Sequence, residues 1–146
     1  MWSVYLDNCC LNRLFDNQSQ LRIHLESEAV KVVLSLCEQQ QMRLICSQVS
    51  YFEINNTPDA SRRNALKWLL IPAVEVVRLT PKILERAKTL EQVGFKAFDA
   101  MHLACAETRA DVFLSVDDRL LKKSESLAGL PITVSNPLRW IQEVLS

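Results

Sequence analysis

The chain has 146 residues, with 17 Lys and Arg against 17 Asp and Glu and a formal net charge of zero. That length suits one domain with a real buried core that needs no metal or disulfide staple. Hydrophobic residues at 49% and charged residues at 23% exclude wholesale disorder, and the balanced charge excludes a protein that coats nucleic acid through its overall field.

Two glycines, Gly94 and Gly129, are too few for the Gly-rich loops that cradle phosphates. The five cysteines, Cys9, Cys10, Cys37, Cys46 and Cys105, are odd in number and contain no C-x-x-C pair. Neither a disulfide framework nor a zinc site of ordinary spacing follows from them, so they read as buried thiols in a reducing compartment. The segment Met1 to Asp7 lacks the basic start of a signal peptide. No stretch reaches the roughly 18 apolar residues of a membrane span. The expectation is a cytoplasmic protein with no membrane association.

In chain order, residues 2–6 are β-branched and aromatic and end at an acid, which predicts a strand. Residues 19–40 place Ile23, Val30, Val33, Leu34 and Cys37 at helical spacing with charges between, an amphipathic helix. A second strand is expected at 43–46, followed by a helix capped by Ser47. Thr57-Pro58, Thr80-Pro81 and Asn136-Pro137 each set a capping side chain before a proline. They predict helices at about 58–70, 81–93 and 137–145. Gly94 falls where a left-handed helix end is expected. An extended segment at 74–79, a helix at 98–108 and strands at 112–115 and 132–134 complete the pattern. Strands alternating with helices predict one α/β domain over 1–146, with a central parallel sheet of four to five strands and helices on both faces.

In such a sheet ligands gather at the carboxyl ends of the strands. Asp7 follows the first strand, and Glu53 lies in the second turn of the helix after strand two. Asp99 opens its helix, and Asp117 stands two residues past the strand at 112–115. Each acid has an ordinary explanation in helix dipoles, caps or turns. Yet their neighbours Leu6, Phe52, Phe98 and Val116 are apolar, so all four acids interrupt segments suited to burial. Clustered carboxylates raise one another's pKa unless a cation sits among them, and Mg²⁺ or Mn²⁺ suits an all-oxygen set. His24 and His102 have no zinc spacing.

The segments Val4-Tyr5-Leu6-Asp7-Asn8, Ser47-Gln48-Val49-Ser50-Tyr51-Phe52-Glu53-Ile54, Phe98-Asp99-Ala100-Met101-His102-Leu103-Ala104-Cys105-Ala106 and Phe113-Leu114-Ser115-Val116-Asp117 resemble the four acidic motifs of PIN-domain nucleases. Asn136-Pro137-Leu138-Arg139-Trp140-Ile141 is similar to that family's closing helix. The likeness runs in order along nearly the whole chain and is strongest to the VapC-like toxins of type II toxin–antitoxin pairs. It implies a Mg²⁺- or Mn²⁺-dependent endoribonuclease whose metal and catalytic acids are Asp7, Glu53, Asp99 and Asp117, with Asp7 and Asp99 innermost. Ser115 matches the hydroxyl residue two places before the last acid. Two places after the first acid, where the family usually has Asn or Ser, this chain has Cys9. Either the thiol takes that place or its polar role moves to Asn8 or Asn12. Asp118 is expected only to start a helix.

The resemblance also implies RNA as substrate, a homodimer and a co-expressed antitoxin. Apolar residues in excess of one core, among them Ile23, Leu25, Val30, Leu66, Trp68, Leu69 and Leu70, offer surface for such partners. Arg13, Arg62, Arg63, Lys122 and Lys123 are scattered and define no RNA path, and Lys96 lies three residues before Asp99. Two alternatives stand beside the nuclease: a PIN-like interaction module without turnover, and a phosphohydrolase or nuclease acting on another substrate.

Overall fold

A computed structural model describes residues 1–146. Five parallel strands, β1 (Ser3–Leu6), β2 (Arg43–Ser47), β3 (Glu75–Val77), β4 (Val112–Leu114) and β5 (Thr133–Ser135), form one sheet in the order β3-β2-β1-β4-β5. The predicted parallel α/β architecture holds, at the upper limit of the expected strand count. β1 and β4 are buried along their whole length, as central parallel strands must be. Alternation along β1 divides the core. Val4 and Leu6 join Leu44, Cys46, Val112 and Leu114 in one apolar cluster, while Tyr5 joins Ile45 and Phe113 in another.

The helices cover both faces. In chain order they are α1 (Asn8–Asn12), α2 (Leu21–Glu38), α3 (Gln48–Asn55), α4 (Ala60–Leu69), α5 (Pro81–Gln92), α6 (Ala97–Arg109), α7 (Asp118–Ser126) and α8 (Pro137–Leu145). The first cluster takes in Val30 and Val33 of α2, Leu66 of α4 and Trp140 of α8. The second takes in Ile83 and Leu90 of α5 and Leu103 of α6.

Two of the three cap–proline starts are where the sequence puts them. Thr80 accepts from the Ile83 N–H and Asn136 from the Leu138 N–H, each with proline at the start of its helix. The third differs. Thr57 donates its N–H to the Ile54 carbonyl and so completes the exit from α3, and Asp59 caps α4 through the Ser61 and Arg62 amides. A carboxylate two residues downstream outcompetes the threonine, and α4 begins at Ala60 instead of 58. The short α1 was not expected. Gly94 ends α5 with a positive φ of 115°, and a Cβ there would collide with the Lys123 side chain at 2.6 Å. At the end of α2, Gln40 takes the left-handed region at φ 61°.

The chain places β2 and β3 on one side of β1 and β4 and β5 on the other. Strand order therefore reverses at the β1–β4 junction, the place where open α/β sheets form a crevice at their carboxyl ends.

Candidate active site

Asp7 leaves the end of β1 and is buried, its N–H bonded to the Leu114 carbonyl of the neighbouring strand. Its Oδ2 accepts from the Ser115 hydroxyl at 2.8 Å and from the Cys9 thiol at 3.3 Å. Ser115 Oγ in turn accepts the Asp117 N–H at 3.1 Å, so one hydroxyl ties the first acid to the segment carrying the last. Asp117 caps α7, its Oδ1 accepting from the Arg119 and Leu120 amides. The capping explanation for this acid is thus correct, and it engages only one of the two carboxylate oxygens.

Asp99 sits in the first turn of α6, where the helix dipole favours a negative charge. Its pKa is nevertheless pushed up to about 6, first by burial and then by the charges of Asp7, Asp117 and Glu53, against a smaller lowering by His102. A carboxyl that senses three other carboxylates lies in their company. The four acids singled out from the sequence therefore share one edge of the sheet.

Glu53 reaches that edge from the second turn of α3. The Ser47 hydroxyl accepts from the Val49 and Ser50 amides, and the Ser50 hydroxyl accepts from the Ser47 N–H, a reciprocal cap that fixes where α3 starts. Glu53 Oε1 is hydrogen-bonded to Nε2 of His102, a buried side chain one turn past Asp99. Burial opposes a charge on this imidazole, but the Glu53 bond and the charges of Asp7, Glu53 and Asp99 raise its pKa above the ordinary value. Nδ1 of the same ring lies 2.6 Å from the Tyr5 hydroxyl, which meets Ser47 Oγ at 2.7 Å and Ser50 Oγ at 3.2 Å. In the sequence His102 has no zinc spacing and Tyr5 is one more apolar residue of a strand, so neither stands out as part of the site. The signal was there: His102 is three residues, one helical turn, past Asp99, and Tyr5 points to the opposite face from Leu6 in a buried strand.

The neighbours of the acids depart from expectation in part. Leu6 and Val116 are buried, but Phe52 and Phe98 are 55% and 42% exposed and stack on each other with centroids 5.8 Å apart. Their contact with each other replaces burial in the core. Asn8 is buried, donates to the Ser50 carbonyl at 3.0 Å, and bonds to none of the four acids. Asn12 donates to the Asn8 carbonyl and accepts from Arg62. Of the alternatives for the polar role beside Asp7, the thiol of Cys9 is the one in contact. Asp118 is exposed and held by a two-toothed pair with Arg22 at 2.7 and 2.9 Å, which lowers its pKa. Among the basic residues, Arg13 pairs with Asp16 and Glu26, Arg62 with Asp16, and Arg63 donates to the Thr57 carbonyl. These three cations are engaged in holding the fold.

The donor set fits a hard divalent cation: four carboxylates, one of them crowded enough to hold its proton to about pH 6. No three His, Cys, Asp or Glu side chains close into a ready cage.

The chain belongs to the PIN domain family, whose model matches residues 4–125 and so takes in all four acids. No curated protein matches it in sequence. Solved structures with the same fold include FitAcB from Neisseria gonorrhoeae, 13% identical with a TM-score of 0.59 over 92% of this chain and 97% of that one. VapBC2 from Rickettsia felis, solved with a DNA fragment from its promoter, is also 13% identical, with a TM-score of 0.59 over 92% and 98%. FitAB bound to an IR36 DNA fragment is 16% identical, with a TM-score of 0.53 over 92% and 95%. No helix of the chain is long and apolar enough to cross a membrane.

Proposed function

We propose that this PIN domain is a divalent-metal-dependent endoribonuclease and the toxin half of a toxin–antitoxin pair, working in the cytoplasm. The observation that carries the reading is geometric: Ser115 Oγ ties Asp7 to the segment of Asp117, and His102, one turn past Asp99, is bonded to Glu53, so the four acids meet where β1 and β4 end. Asp99, pushed up to about 6 by burial and its acidic neighbours, agrees with a site that gains from a cation. Asp7 and Asp99 would hold it directly, and Glu53 and Asp117 would hold its waters. When bound, Mg²⁺ or Mn²⁺ supplies an acidified water and offsets charge on the phosphodiester. The chain's own contribution is orientation. Ser115 fixes Oδ2 of Asp7, the α7 cap fixes Asp117, and His102 holds Glu53.

The partners follow the same reading. FitAcB, VapBC2 and FitAB bear the names of complexes, in keeping with an antitoxin for this chain. Of the apolar residues expected to be in excess, Val30, Leu66 and Leu70 are buried, while Trp68 is 72% and Leu25 40% exposed. The exposed ones favour a homodimer and an antitoxin contact. The test is incubation of the purified chain with a pool of structured RNAs in Mg²⁺, in Mn²⁺ and in EDTA. Cleavage in either metal that stops in EDTA supports the reading. Intact RNA in all three, with Mn²⁺ bound to the protein, would move the chain to the non-catalytic interaction module.

A further inference from the structure

The buried polar chain behind Glu53 has a direction. Ser47 Oγ accepts the Val49 and Ser50 amides, and Ser50 Oγ accepts the Ser47 amide. Each hydroxyl proton is therefore free to donate to the Tyr5 oxygen, at 2.7 and 3.2 Å. That leaves the Tyr5 hydroxyl proton to go to His102 Nδ1 at 2.6 Å. In the neutral ring, with Nδ1 accepting, the proton sits on Nε2, which faces Glu53 Oε1; in the charged ring that the neighbouring acids favour, Nε2 donates to Glu53 as well, so this bond holds in either form. Tyr5, Ser47 and Ser50 are wholly buried and His102 is 1% exposed, so water does not compete for these bonds. Tyr5 is further locked between Phe113, stacked at 5.4 Å, and the edge of the His102 ring at 5.6 Å. Glu53 is the only member of the chain that reaches solvent, with a side chain 35% exposed. The rigid sheet interior thus sets the rotamer of a carboxylate that solvent would otherwise leave free.

We propose that His102 is a positioning residue for Glu53, oriented from behind by Tyr5 and the Ser47–Ser50 cap, so that one oxygen of Glu53 is engaged and the other is turned to the acid cluster. The inference rests on the proposed reading of that cluster as a cation site. Partners of this kind around a metal-binding group are worth about 10–100-fold in metal affinity or activity.

Two replacements separate positioning from mere filling of space. The side-chain amide of Gln reaches about as far as Nε2 of His, whereas that of Asn reaches only as far as Nδ1. His102→Gln keeps a donor for Glu53, and His102→Asn keeps only a partner for Tyr5. Mn²⁺ binding is measured by calorimetric titration on each variant, with circular dichroism establishing that it is folded, and RNA cleavage is followed in parallel. Positioning predicts that His102→Asn and His102→Leu lose about 10-fold in Mn²⁺ affinity, the low end of that range because Glu53 meets the cation through its waters, that His102→Gln recovers most of it, and that Tyr5→Phe shows a smaller loss. Equal Mn²⁺ affinity in folded wild type, Gln and Asn variants would overturn this inference and leave the nuclease reading intact. A wild type that neither binds Mn²⁺ nor cleaves RNA overturns both.

Discussion

Replacing Asp99 by Asn removes one charge from the crowded carboxylates and nearly nothing else. The folded pKa of Asp99 is about 6 against an ordinary 3.8, so the folded state holds its proton more tightly than the unfolded chain does. The stability this contributes is full below the ordinary value and is lost as pH rises through about 6. At pH 7.5 the ionised carboxylate is therefore a burden that Asn lacks. Two units at 1.36 kcal/mol each set a ceiling of about 3 kcal/mol. The carboxyl is only partly buried, and screening brings the expected gain to about 1–2 kcal/mol, or a rise of about 3–6 °C in melting temperature. Thermal unfolding in EDTA at pH 7.5 and at pH 4 measures it: Asp99→Asn melts above wild type at the first pH, and the advantage disappears at the second. In excess Mg²⁺ the order reverses, because wild type alone gains from mass action, about 2.7 kcal/mol at a hundred times Kd. A variant no more stable than wild type in EDTA at pH 7.5 would refute the crowding on which the metal argument stands.

Three further outcomes follow from the fold. Glu26 is 2% exposed and joins Arg13, Arg22 and Asn136; Glu26→Ala should cost about 2–3 kcal/mol in urea unfolding, below a fully enclosed pair because Arg22 reaches water, and a loss under about 1 kcal/mol would contradict that role. Gln40 holds φ at 61°, so Gln40→Gly should stabilise by up to about 1 kcal/mol, and a drop in melting temperature would deny the strain. Of the five thiols only Cys9 is not buried, and a disulfide reagent on native protein should titrate one thiol quickly; two or more fast thiols would mean the core opens.

The sequence announces this fold where burial or local chemistry leaves a pattern. β1, β2 and β4 are short apolar runs because parallel strands are covered on both faces, and α5 and α8 are marked by cap and proline together. α1 has five residues, too few for any periodicity. The start of α4 is ambiguous in sequence because two capping residues, Thr57 and Asp59, stand two places apart, and only the geometry decides between them. At the site, position relative to the strand ends is enough to gather Asp7, Glu53, Asp99 and Asp117. The polar chain behind them is not legible in this way. Tyr5, Ser47 and His102 are each ordinary in their local segments, and they meet only because β1, β2 and α6 are brought together across tens of residues. The exposure of Phe52 and Phe98 escaped for a related reason, since an apolar residue in a helix says nothing about whether another aromatic ring covers it.

If four carboxylates on one sheet edge act as a single cation site for RNA hydrolysis, cleavage must depend on every one of them. The deciding measurement is cleavage of one RNA in Mn²⁺ by wild type and by Asp7→Asn, Glu53→Gln, Asp99→Asn and Asp117→Asn, with folding checked for each. Wild type should cut, all four variants should fall, and Asp7→Asn and Asp99→Asn should fall furthest, by about a hundredfold or more if each removes a direct ligand. Undiminished cleavage by a folded Asp99→Asn variant would contradict the account.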